Sequence, residues 1–98
     1  MLNEKLIADA VKIVIEYFEV EGIQMPTAAI RKIAIEWYNN TEIVEPYQLA
    51  AVTMSGPFVK GITYQEIKKI EKFFFPEECE FTNFSIGEIE MSLYDMFR

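Results

Sequence analysis

Apolar residues recur along the first eighty positions at helical spacing, and the breaks between runs fall on glycine, proline and asparagine. In LNEKLIADAVKIVIEYFEVEG, Leu6, Ala10, Ile13, Val14 and Tyr17 share one face, and Ile7, Val11, Ile15 and Phe18 widen it. Lys5, Asp9, Lys12, Glu16 and Glu19 lie opposite, and Gly22 stops the run. The pattern predicts a strongly amphipathic first helix. PTAAIRKIAIEWYNN predicts a second that buries Ile30, Ile33, Ala34 and Trp37, opened by Pro26 and ended by Asn39 and Asn40. The two are expected to pair as an antiparallel hairpin.

EPYQLAAVTMSG follows, with Pro46 at its start and Gly56 at its stop. Between Leu49 and Met54 only Thr53 is polar, so this segment is expected to be helical, buried nearly all round, and central to the core. TYQEIKKIEKFFF sets Thr63 and Glu66 at capping-box spacing, where two otherwise free amides would be satisfied. Its expected buried stripe is Tyr64, Ile67, Ile70 and Phe74, with Lys68, Lys69 and Lys72 outside it.

The last segment, SIGEIEMSLYDMFR, supports two readings. Ser85 and Glu88 repeat the capping spacing, and Ile86, Ile89, Leu93 and Phe97 follow a helical stripe. Residues 88–94 also alternate polar and apolar, as a half-buried strand does. The expected fold is therefore all-α, a single domain over residues 1–98 with about five short helices. The alternative is α+β with a C-terminal strand.

Composition agrees with one core in 98 residues, at 51% apolar and 14% aromatic. No apolar run approaches the roughly 18 residues of a spanning helix. The N-terminus lacks the basic region of a signal peptide. One cysteine cannot form an internal disulfide, and a cytoplasmic setting is expected. The Asn39 and Asn83 sequons then carry no glycan.

Charge narrows the partners. Nine basic against sixteen acidic residues give a net of −7, the wrong sign for binding phosphates along a duplex, so direct nucleic-acid binding ranks low. The charge is uneven: residues 76–98 carry six acids and one base, whereas residues 51–75 carry four lysines and two glutamates.

Catalytic and metal chemistry find little footing. The absence of histidine removes the usual general base at neutral pH and the usual nitrogen ligand of zinc, and one cysteine cannot build a zinc cluster. The glycines, at 22, 56, 61 and 87, are too dispersed for a phosphate loop. Glu77, Glu78 and Glu80 form an acidic cluster without calcium-loop spacing, and a solvated loop is the better reading. Those glutamates disfavour a Cys79 thiolate. No cofactor, metal, membrane or enzymatic activity is expected.

The stretch FFFPEECEF raises a geometric problem. If the fourth helix turns Ile67, Ile70 and Phe74 inward, Phe73 and Phe75 stand about 100° to either side. At least one ring should then lie near the surface unless another element covers it. The favoured reading is that the final helix folds back and buries these rings. The functional reading is that Phe73, Phe75 and Phe81, rimmed by Glu77, Glu78 and Glu80, form an interface for another protein or a second copy.

The C-terminal LYDMFR offers Leu93, Met96 and Phe97 as further docking anchors. It resembles the Leu/Phe-ended peptides by which bacterial proteins bind the replication sliding clamp, with Leu93 where the usual leading glutamine stands. Packing of a last helix is the competing reading. In size and composition the chain resembles small proteins of phages and mobile elements.

The expected function is a non-enzymatic interaction module, a small regulator, inhibitor or assembly factor that occupies a partner's surface. The alternatives are an acidic nucleic-acid mimic using Glu77, Glu78, Glu80, Glu88, Glu90 and Asp95, and a helix-turn-helix-like DNA binder using Lys60, Lys68, Lys69 and Lys72.

Overall fold

Six consecutive side chains, Gln48 to Thr53, are buried in the structure, a computed structural model that describes residues 2–78. They belong to the third of four α-helices: α1 (Glu4–Glu21), α2 (Thr27–Asn40), α3 (Pro46–Ser55) and α4 (Tyr64–Phe74), followed by a 3-10 turn at Pro76–Glu78. No strand occurs among the described residues, and the all-α expectation holds for them. The fifth segment, with its helix-or-strand ambiguity at 88–94, lies outside the described residues.

Helix α3 is short because Pro46 sits at its first turn and Gly56 closes it at φ 121°. It packs against α1, α2 and α4, and the small Ala50 and Ala51 are fully buried. Thr53 enters this core without a polar deficit, because its hydroxyl donates to the Leu49 carbonyl oxygen at 2.6 Å. The sequence reading missed Gln48, which is buried and donates from Nε2 to the Tyr64 hydroxyl at 3.2 Å.

Helix α1 buries Leu6, Ile7, Ala10, Val11 and Val14, the N-terminal part of its expected face. Asn3 caps it by accepting from the Leu6 amide at 3.1 Å. At the other end Gly22 takes the left-handed conformation, φ 71°. Its amide donates to the Glu19 carbonyl and the Ile23 amide to that of Phe18, the bond pair of a Schellman motif. The chain then turns back: Thr27 lies beside Ile15 and Glu19, while Arg31, one helical turn later, reaches Glu4 at 2.8 Å. The first two helices thus run in opposing directions, as expected. Ile30, Ala34 and Trp37 of α2 are buried; Ile33 is partly so.

Trp37 fastens α2 to the end of α3. Its indole Nε1 donates to the Gly56 carbonyl at 2.7 Å, and its ring stands edge-on to Phe58 with centroids 5.1 Å apart.

Helix α4 departs from expectation at both ends. Thr63 accepts from the Glu66 amide at 3.2 Å, but the Glu66 carboxylate accepts from the Thr63 hydroxyl at 3.1 Å, so one amide is satisfied by this box and not two. Tyr64, expected in the core, is exposed, with its ring beneath the Lys68 ammonium at 5.1 Å from the centroid. Ile67 and Ile70 face inward as expected, joined by Glu71.

Because Ala50 is fully buried in a helix packed on by three others, Ala50→Leu is expected to cost about 1–3 kcal/mol through overpacking. Ala28→Leu, on an exposed site of α2, is expected to change stability by less than about 0.5 kcal/mol. Urea unfolding of the two variants checks the contrast.

Candidate interaction surface

The three adjacent phenylalanines are accommodated by ending the helix. Phe74 is the last residue of α4, and Phe75 leaves helical geometry at φ −132°, ψ 65°, while its amide still donates to the Glu71 carbonyl at 2.8 Å. Pro76, which cannot extend the helix, begins the 3-10 turn. With its backbone turned, Phe75 enters the core at 8% exposure. Its ring meets Tyr47 of α3 at 5.0 Å and Tyr17 of α1 at 6.0 Å, both edge-on. Phe74 also meets Tyr17, at 5.8 Å. The surface ring is Phe73, 45% exposed and edge-on to Phe74 at 5.1 Å.

Phe75 is buried, as the favoured reading expects of these rings. Phe75 is a core residue that joins α1, α3 and α4, because the helix stops one residue earlier than the pattern suggests. Phe73 remains at the surface, and Glu77 and Glu78 are exposed in the turn that follows. Phe81, Glu80, Leu93, Met96 and Phe97, with Cys79, lie outside the described residues.

A different apolar surface lies between α1 and α2, where sequence reasoning did not look. Two concavities of about 520 Å³ each share Ile15, Glu19 and Thr27, and so make one groove. Its floor is the partly exposed Ile15 and Phe18, with Val11 and Ile30 buried beneath them. The Schellman turn explains one wall, because it folds Ile23 back toward Phe18. Met25 and Pro26 continue that wall, and Ile23 and Met25 are 48% and 36% exposed. The available sequence signal was Ile23 and Met25 in a five-residue connection otherwise made of Gly22, Gln24 and Pro26, two large apolar side chains in a turn between polar-rimmed helices.

The rim is charged. Glu16 and Glu19 stand on the α1 side with Lys12 one turn earlier, and Arg31 stands on the α2 side in its pair with Glu4. The last turn of α1 has no basic residue, so its acids lie near the negative end of the helix dipole.

Elsewhere, Lys68 and Lys69 are exposed on α4, while α3 is too deeply enclosed to enter a nucleic-acid groove. Among the described residues no three His, Cys, Asp or Glu side chains are grouped to hold a metal, and no helix is long and apolar enough to cross a membrane.

Phe75→Ala is expected to cost about 3–5 kcal/mol in chemical denaturation, the range for a buried aromatic. Phe73→Ala is expected to cost about 1 kcal/mol, as it loses an edge contact and a partial burial. Comparable losses at the two positions would contradict this placement of the rings.

Comparison with known proteins finds no matching protein-family model, no matching curated protein and no matching solved structure, which leaves the groove, the rings and their charges as the ground for function.

Proposed function

We propose that this chain is a non-enzymatic protein-interaction module, a small cytoplasmic regulator, inhibitor or assembly factor that works by docking to another protein. The observation that carries this reading is the α1–α2 groove, in which an apolar floor is bordered by exposed Ile23 and Met25. Apolar side chains exposed together around a concavity and rimmed by charge are what a binding site offers: the floor supplies area to remove from water, and the rim supplies orientation. Two helices with a furrow between them fit another helix laid along the furrow, because side-chain ridges of one helix pack into such grooves.

The cytoplasmic setting rests on the single cysteine. Phe73, exposed at the end of α4, is the part of the sequence-expected aromatic patch that this reading keeps as a secondary contact.

A photoreactive amino acid at position 25, in the groove wall, tests the reading against the same group at Glu36. That control position is exposed and half a turn around α2 from Thr27. In the native host, position 25 is expected to give one discrete adduct that position 36 does not. No adduct from position 25, or the same adducts from both positions, would contradict docking at this face.

A further inference from the structure

Helix α4 packs chiefly on α3 and meets α1 at the Tyr17 ring. Its inward side is Ile67 and Ile70, with Glu71 turned in beside them. The outward side carries the exposed Lys68 and Lys69, the half-buried Lys72, and Phe73 at 45% exposure. Glu66 is the one exposed acid of this helix, and it sits in the first turn against the Thr63 hydroxyl. From Lys68 onward the outer surface of α4 is therefore cationic, with an aromatic ring near its end. Such a surface fits a segment that is apolar along one side and acidic beyond it.

This chain contains a segment of that kind. Residues 79–98 hold four acids and one base, and Ile86, Ile89, Leu93 and Phe97 recur there at helical spacing. The segment follows the turn at Pro76–Glu78, so it starts at the end of α4 where Phe73 lies. Six residues, 79–84, are a usual length of connection between antiparallel helices. A helix over 85–97 is about 20 Å long, against about 17 Å for α4. The tether also presents the segment at an effective concentration of about millimolar. We infer that residues 85–97 return as a helix antiparallel to α4 and cover its outer face. With the two helices centred on each other, Ile86 and Ile89 lie over Phe73, and Glu90 comes abreast of Lys69. Glu88 and Asp95 then face water on the far side. A partner that contacts Phe73 must first displace this segment.

Paramagnetic relaxation enhancement in the full chain provides the test. With Cys79→Ser and Ser92→Cys, a nitroxide is attached at position 92, beside the apolar stripe and level with Lys68. Loss of amide signal is expected to be greatest from Ile67 to Ile70, well away from the junction at Glu78. Ile89→Asp in the same labelled chain is expected to restore those signals without moving the α3 resonances, which report an intact core. Loss greatest from Phe74 to Glu78 and fading steadily toward Tyr64 is the pattern of an unanchored tether and would overturn the inference. Loss centred on Ile15 and Ile30 would place the segment in the α1–α2 groove, and loss passed from a nitroxide-bearing copy to an isotopically labelled one would assign the contact to a second copy. Either result would overturn it, as would signals that Ile89→Asp leaves unchanged.

Discussion

The burial of α3 from Gln48 to Thr53 is the constraint from which the rest of the structure follows. A helix enclosed in this way gains by satisfying its polar atoms internally, and it must be narrow where neighbours approach. Thr53 does the first by donating to the Leu49 carbonyl, and Ala50 with Ala51 does the second. Once α3 occupies the middle, α1, α2 and α4 can each bury a face against it. The Trp37 indole on the Gly56 carbonyl then fixes where α3 ends relative to α2. The outer sides of α1 and α2 need no partner from α3, and the furrow between them is where the proposed docking surface lies.

The opposite solution is found where α4 ends. There the apolar side chains are too many for one helical face, and the chain changes backbone geometry instead of exposing all of the excess. Ending the helix at Phe74 lets Phe75 turn into the space between Tyr17 and Tyr47. Edge-on aromatic pairs at 5.0–6.0 Å are worth about 0.5–1.5 kcal/mol each beyond the area they bury, so this corner is a substantial tie among three helices. Phe73 is the ring for which this arrangement provides least cover.

Helix positions and inward faces were legible because the 3.6-residue period and the punctuating Gly22, Pro26, Pro46, Gly56 and Pro76 are local features. The central burial of α3 was equally legible, since a run with almost no polar positions has no face to offer water. Tyr64 was misplaced, and the turn that buries Phe75 was not foreseen, for a common reason. Periodicity assumes a helix continues unchanged to its ends, whereas first-turn and last-turn side chains respond to caps and to neighbours distant in sequence. Gln48 is buried against polar expectation: its Nε2 donates to the Tyr64 hydroxyl, sixteen residues on, while its buried Oε1 has no partner. The groove was not legible for a stronger reason: Ile15 and Phe18 read simply as the widened apolar face of α1. Only the packing of α1 on α2 shows that their partial burial leaves a furrow, with Ile23 and Met25 along its wall.

Native-state hydrogen exchange, followed amide by amide with increasing denaturant, addresses the central role of α3 most directly. If α3 is the enclosed hub, its amides exchange only through global unfolding, with the free energy and denaturant dependence of the whole domain. The outer turns of α1 and α2 around the groove would open at lower cost. Exchange of the α3 amides through a smaller opening, while α1 and α4 stay protected, would contradict that role.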